Sequence, residues 1–350
     1  MTAKERAFVA RVRRRAARLE PDIARAFLRG IDELRASLNV ADMARLIDSG
    51  QIEVLLDRYV SDPQVRASFT DLQRQMLESV KTATETMARE IPPAFVAAAR
   101  GISFNYLNPR VIDAVNRLDT HAMQTLAEGL RESVRDQIRA GVEAGVNPRS
   151  VARTLRQTVG LAPNQAKAVA NFRAQLVAGS RAALQRKLAK GVLTTPSGKV
   201  IANRAHALGQ GLSGRDLAML QTKLGREPLT REAIDRMVAD YQKRLLAWNA
   251  ETNARSLALQ SEKLGQRLSY EDMIAKGIVD RERLMRRRVE VLDERTRPLH
   301  ALSYEQGGLN GEVRRFDEPY SNGEMVAGES EWNCRGQDFY YIAREKRGAA

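Results

Sequence analysis

Residues 111–138 read VIDAVNRLDTHAMQTLAEGLRESVRDQI, and the apolar positions Val111, Val115, Leu118, Ala122, Leu126, Leu130, Val134 and Ile138 recur at steps of three and four. That spacing lays one stripe along a helix with 3.6 residues per turn. It predicts a single helix of roughly 30 residues, where globular helices average about 11 to 12. Such a length suits a bundle or an elongated assembly subunit. His121 falls beside the stripe and reads as a flank residue.

The same period runs on both sides of this segment. Upstream, Phe8, Val12, Ala16, Leu19, Ile23, Phe27, Ile31, Leu34 and Leu38 form one face over residues 4–38, and Arg11, Arg13, Arg14, Arg15 and Arg18 crowd the other. Pro21 predicts a kink or restart within that run. Two or three further helices are expected over residues 40–89, with a break at Ser61-Asp62-Pro63 where Asp62 can cap and Pro63 take the first turn. Ile91-Pro92-Pro93 closes this bundle, a short helix follows from Ala94, and the irregular link from Gly101 to Pro109 marks the first domain boundary.

Downstream, Gly145-Val146-Asn147-Pro148 ends one helix and caps the next. Helices over Ser150 to Val159 and Asn164 to Leu188 flank the turn Gly160-Leu161-Ala162-Pro163. This is the outline of a helix-turn-helix, which packing alone also accounts for. Lys190 to Lys199 reads as a loop or short hairpin, His206 stands alone, and Gly209 to Gly214 lacks the order of a phosphate-cradling loop. A second long helix starts at Thr230 and turns Ile234, Met237, Tyr241, Leu245 and Trp248 inward. A further short helix is expected from Tyr270 to Met285, leading into the basic cluster Arg281, Arg283, Arg286, Arg287 and Arg288.

Composition sets outer limits. Of the 350 residues, 43% are hydrophobic, enough to bury a substantial core, and only 5% are aromatic, which with abundant Ala, Leu, Arg, Gln and Glu favours helix over sheet. A net charge of +14 makes polyanions the natural partners, whether packaged DNA, RNA or an acidic protein surface. The same charge also fits arginines on solvated faces. One cysteine excludes an internal disulfide framework and a multi-cysteine zinc site, and with His121, His206 and His300 far apart the reading assigns no metal ligands and no cofactor. The N-terminus has no signal-peptide pattern, and no apolar run approaches the roughly 20 residues needed to cross a bilayer. Folding in a reducing cytoplasm is expected.

At Arg286 the helical period stops, and Gly, Pro, Asn and aromatic residues take over. Asp293, Arg295, Arg297 and His300 gather a carboxylate, two guanidinium forks and an imidazole within one short segment, and Asn333-Cys334-Arg335 follows Trp332. If the intervening loop folds back, the two clusters meet. Residues 289–292, 312–316 and 339–342 are candidate strands of a small terminal domain. His300 with Arg295 and Arg297 could serve phosphodiester cleavage, but one histidine lacks a visible second acid or base. Cys334 could be a nucleophile beside His300, or a small buried hydrophobe. A structural role, with Asp293 paired to an arginine and His300 bonded into the loop, is the favoured reading, and no catalytic residue is assigned.

The ordered series Asp293-x-Arg295-x-Arg297-x-x-His300, a Gly-rich stretch, Phe316-Asp317-Glu318-Pro319 and Asn333-Cys334-Arg335 resembles the C-terminal domain of the phage Mu F-like minor head (head morphogenesis) proteins of tailed phages. The resemblance covers roughly Asn147 to Tyr341 and is strongest at the C-terminus. Gly336 departs from it, standing where the family usually carries a second cysteine, and Leu257 replaces the acid that often follows an Ala-Arg-Thr segment, here Ala254-Arg255-Ser256. The resemblance implies a non-enzymatic minor capsid protein inside the virion head at the portal vertex, made in the bacterial host cytoplasm. Its partners would be the portal protein and/or the major capsid protein, in several copies, and packaged double-stranded DNA with which it can be ejected. The alternatives are a nuclease or toxin-like domain centred on His300, and plain DNA binding through the N-terminal arginines.

The expected fold is mostly α. Elongated multi-helix N-terminal (1–108) and middle (109–285) regions precede a small C-terminal α/β, strand-and-loop domain (286–350). Arg11, Arg13, Arg14, Arg15, Arg18, Arg286, Arg287 and Arg288 are its candidate contacts to nucleic acid or an acidic partner. Asp293, Arg295, Arg297, His300, Asn333, Cys334 and Arg335 form its structural or docking motif.

Overall fold

The computed structural model describes residues 2–89, 109–185, 212–224, 226–292, 298–329 and 334–343. Among them the chain is mostly helical, with a small three-stranded sheet near the C-terminus. The helices are α1 (Ala3–Ser37), α2 (Val40–Asp48), α3 (Ile52–Tyr59), α4 (Asp62–Ser68), α5 (Thr70–Arg89), α6 (Pro109–Glu143), α7 (Pro148–Thr158), α8 (Pro163–Val177), α9 (Gly214–Lys223), α10 (Arg231–Ala275) and the single turn α11 (Pro298–Ala301). The strands are β1 (Leu284–Val289), β2 (Val313–Arg315) and β3 (Gln337–Ile342).

The 111–138 stripe lies within α6, a 35-residue helix, and His121 is exposed on it. Helix α1 continues through Pro21, where a kink or restart was expected. A proline removes one helical hydrogen bond, and the buried side chains of Val12, Ala16, Ile23 and Phe27 on either side hold the helix to its neighbours. At 61–63 Ser61 takes the N-cap position and Asp62 the first turn, where it pairs with Arg66 at 2.9 Å. The Asn147-Pro148 start works as read: the Asn147 side chain accepts from Arg149 N at 2.9 Å, after Gly145 at φ 64°. The readings over 91–108, the 190–199 loop and His206 lie outside the described residues.

Two compact units emerge, and neither follows the sequential boundaries at 108 and 285. One gathers Met1–Ala24, Leu72–His121 and Thr252–Ala350; the other gathers Arg25–Asp71 and Ala122–Glu251. Composition breaks mark where the chain changes character, not which segments meet in space.

In the second unit α2 packs on α7, burying Met43, Leu46 and Ile47 against a helix that buries Val151, Ala152 and Leu155. Burying each of the larger side chains, Ala152 excepted, contributes roughly 1.5–3 kcal/mol. Asn39 caps α2 by accepting from Ala41 N and Asp42 N at 3.0 and 3.1 Å. Rings Phe27 and Phe69 pack at 5.6 Å, and Phe172 and Tyr241 at 5.1 Å. The Gly160 turn, at φ 92°, approaches Ile31 closely, and its carbonyl accepts from Asn249 Nδ2 at 2.7 Å.

In the first unit α10 does not stop before Tyr270; it runs to Ala275, so the separate helix expected over Tyr270 to Met285 does not form. Gly277 (φ 69°) ends α10, with Gly277 N bonded to Ile274 O and Ile278 N to Met273 O, the paired bonds of a glycine C-cap. The chain then enters β1 five residues earlier than the candidate strand at 289. The arginine run is itself the central strand: the order is β2-β1-β3, both pairings antiparallel, with Arg286 opposite Tyr340 and Arg288 opposite Asp338. One sheet face carries Val289 and Phe339 against Phe8, Val9 and Val12 of α1. The other carries Leu284 into a cluster with Tyr270, Met273, Val279, Phe316 and Tyr340. Within the same unit Gly265 of α10 lies where a Cβ would meet Ala83 and the Thr84 backbone of α5, and Ser269 Oγ donates to Thr84 O at 3.1 Å.

Candidate functional site

Strand β1 alternates, so Leu284, Arg286, Arg288 and, just beyond it, Glu290 project to one side. That side is covered by the loop after β2 and by α10, and Arg286 and Arg288 are both 0% exposed. These two arginines are therefore not surface contacts for nucleic acid, which corrects the reading of the basic triplet. Arg286 donates to the carbonyls of Glu318 and Met325, approaches Asp338 at 3.7 Å, and stacks 4.3 Å from the Tyr320 ring centre. Tyr320 donates its hydroxyl to Asp338 at 2.5 Å, and Ala327 N donates to the other Asp338 oxygen at 3.0 Å. Arg287 points the opposite way and reaches Glu5 of α1 at 3.3 Å.

Arg288 is the centre of a second buried set. Its Nε donates to Glu290 Oε1 at 2.7 Å and its Nη1 to Glu324 Oε2 at 2.7 Å, and Glu324 also accepts from Gly328 N at 2.9 Å. Glu290 Oε1 lies 3.4 Å from His300 Nδ1, and the same nitrogen is 3.7 Å from Cys334 Sγ. The loop thus folds back as the sequence left open, and His300 meets Cys334. The short helix α11 is pinned by Leu309 N donating to Leu299 O at 3.0 Å. Lys263 of α10, buried, donates to Ala327 O at 2.7 Å and lies 3.4 Å from Cys334 O, clamping the approach to β3. Gly336 leaves room for the acid: a Cβ there would lie 2.5 Å from Glu290 Oε1.

The charges in this pocket of side chains are mutually adjusted. Hydrogen bonding to Cys334 and then to Glu290 raises the His300 imidazole to about 10. Burial pushes the Cys334 thiol up, but the His300 bond and the Lys263 ammonium outweigh it and leave the thiol below its ordinary value. Burial likewise raises the Glu290 carboxyl, and His300 and Arg288 overcome it, so the net direction is down. Opposite charges favour each other's ionised forms at close range.

This arrangement does not relay protons as a nucleophilic triad does. A triad places the nucleophile on one imidazole nitrogen and the orienting acid on the other, whereas Cys334 and Glu290 converge on the same Nδ1. Convergence of three donor atoms on one point suits holding a cation. Glu290, His300 and Cys334 are all buried, with their ligand atoms within 4.8 Å of one another. The sequence reading assigned no metal ligands because the chain has one cysteine and its three histidines stand far apart; the fold sets His300 beside both Cys334 and Glu290.

Of the motif residues, His300 and Cys334 are brought together, Arg335 is half-buried beside them in sequence, and Asp293, Arg295, Arg297 and Asn333 lie outside the described residues. Of the N-terminal arginines, Arg15 turns inward, bonding Glu262 of α10 at 2.8 Å, while Arg11, Arg13, Arg14 and Arg18 lie exposed. Sequence reasoning missed Glu290, Glu324, Asp338, Tyr320, Glu262 and Lys263. The period-two series Arg286, Arg288, Glu290 was a usable signal, since in a strand it places three charges on one face; nothing in the sequence around Lys263 marks it as buried. No family model, curated protein or solved structure matches the chain.

Proposed function

We propose that the protein is a structural minor head protein of a tailed phage or prophage, acting in head assembly by adhesion and without turnover. The observation that carries this reading is the inward orientation of the C-terminal polar residues. Arg286, Arg288, Glu290, His300, Glu324, Cys334 and Asp338 are buried and bonded to one another or to loop carbonyls. Groups consumed in holding a small domain together are not presented to a substrate. The ordered C-terminal motifs that resemble the Mu F-like family add the phage context. Portal protein or major capsid protein would be the docking partner, in several copies at the portal vertex inside the virion. No helix among the described residues is long and apolar enough to cross a membrane.

Contact with packaged double-stranded DNA is a second reading, supported by the exposed Arg11, Arg13, Arg14 and Arg18 on one helix. Its affinity for duplex DNA should fall steeply with salt, because phosphate contacts release counterions; a flat response removes it. The test of the main reading is quantitative mass spectrometry of purified particles before and after DNA release. Presence and retention mark a portal or shell component, and presence followed by loss marks an ejected DNA-associated protein. Absence from particles, with no binding to portal or major capsid protein, sinks the proposal, and the nuclease alternative is then tested with His300→Ala.

A further inference from the structure

We propose that Glu290, His300 and Cys334 form a binding site for a borderline-soft divalent metal ion, of which Zn²⁺ is the fitting member, and that the ion staples the end of β1, helix α11 and the entry to β3. The geometry carries the argument. In a tetrahedral zinc site with bonds of about 2.3 Å to sulfur and about 2.0–2.2 Å to nitrogen and oxygen, neighbouring sulfur and nitrogen ligands stand about 3.6 Å apart and nitrogen and oxygen about 3.4 Å. Cys334 Sγ and His300 Nδ1 are 3.7 Å apart, and His300 Nδ1 and Glu290 Oε1 are 3.4 Å apart. The third edge, between sulfur and carboxylate, lies within 4.8 Å.

The donor set selects the ion. One thiolate, one imidazole and one carboxylate suit zinc, or cobalt as its spectroscopic substitute, while calcium and magnesium demand more oxygen ligands. Arg288 bonds Glu290 Oε1 and is itself fixed by Glu324, an outer layer of the kind that orients a metal-ligating carboxylate. The three ligands are 2%, 3% and 6% exposed, so the ion would be enclosed, with protein atoms filling three of its four tetrahedral positions. It would join three segments of a domain whose sheet has only three strands, and its binding energy would appear as folding stability. The competing occupant of the same point is a proton on His300 Nδ1, which the ion has to displace.

The test uses the full chain, purified without a metal-affinity tag from zinc-supplemented cells. Elemental analysis should find about one equivalent of zinc, and a chelator should lower the thermal midpoint. Cobalt(II) added to the chelated, folded protein should give thiolate-to-cobalt charge-transfer absorption that saturates at about one equivalent and is competed by zinc. Cys334→Ser should lose the charge-transfer band, and Glu290→Gln, which keeps the size of the side chain, should weaken cobalt binding at least tenfold. Folded wild-type protein that carries no zinc and gives no charge-transfer band overturns the proposal, as does a cobalt spectrum unchanged in Cys334→Ser. Neither result bears on whether the protein enters phage particles.

Discussion

The guanidinium of Arg286 lies 4.3 Å from the centre of the Tyr320 ring, and both side chains are buried, at 0% and 2% exposure. A cation enclosed this completely is tolerable only because the Glu318 and Met325 carbonyls, the Asp338 carboxylate and the ring face surround it. Removing it leaves Asp338 buried with one fewer counter-charge and two carbonyls without their donor. Arg286→Ala should therefore cost about 3–5 kcal/mol in chemical denaturation. Arg286→Lys should recover little of it, since an ammonium cannot reproduce the planar fork. A loss below about 1 kcal/mol would show that the arginine is not the organiser of this loop.

The N-terminal arginines divide by what they touch. Arg15 bonds Glu262, which is 2% exposed, so Arg15→Ala takes a charged hydrogen-bond donor from a buried carboxylate and should destabilise the protein by about 1.5–3 kcal/mol. Arg13 and Arg14 are exposed, and their substitution by Gln should leave stability within about 0.5 kcal/mol. Equilibrium denaturation of the three variants side by side checks this. Equal losses would mean that the inward turn of Arg15 is not part of the folded state in solution.

Much of the helical fold is legible because its signals are local. The 111–138 stripe, the Asn147-Pro148 start and the Thr230 start each depend on residues within one or two turns. Thr230 Oγ1 does accept from Ala233 N, at 3.3 Å. The end of the long helix at Gly277 was missed because the sequence reading broke the helix before Tyr270 and ran the next one on to Met285, across a glycine that takes φ 69° and ends it. The strand at Leu284 was missed because an arginine run reads as a solvated face, and only the loop after β2 and helix α10, packed over one side of the sheet, bury Arg286 and Arg288. His300 and Cys334 drew attention by residue type, whereas Glu290 and Lys263 become visible only when segments far apart in sequence are packed together.

Asp42 supplies a pH-dependent link in the second unit. Hydrogen bonds from Arg45 first, then Arg58 and Tyr59, lower its carboxyl to about 2, and the Arg58 and Tyr59 contacts, at 2.6 and 2.9 Å, tie α2 to α3. Because the folded value lies below the unfolded one, this contribution is present above the ordinary carboxylate range and is lost as the pH falls through about 2. Carboxyl-carbon NMR should place the Asp42 midpoint near 2. In Asp42→Asn the stability difference from wild type should shrink as the pH drops from neutral towards 2. A midpoint at the ordinary Asp value would mean that these bonds are not held in solution.

Gly336 and Glu290 form a pair that only a missing side chain allows. A Cβ at 336 would stand 2.5 Å from Glu290 Oε1 and 2.8 Å from its Cδ, and the carboxylate cannot swing aside freely because Arg288 holds the same oxygen at 2.7 Å. Gly336→Ala should accordingly cost about 1–3 kcal/mol, the usual penalty for overpacking a filled interior. Shortening the acid by one methylene makes room, so Gly336→Ala combined with Glu290→Asp should be less destabilising than the two single losses added together. A coupling of about 0.5 kcal/mol or more in that double-mutant cycle is expected for residues in contact. Strict additivity would mean that the carboxylate does not sit against residue 336, and with it the shared position of Glu290 between Arg288 and His300 would be lost.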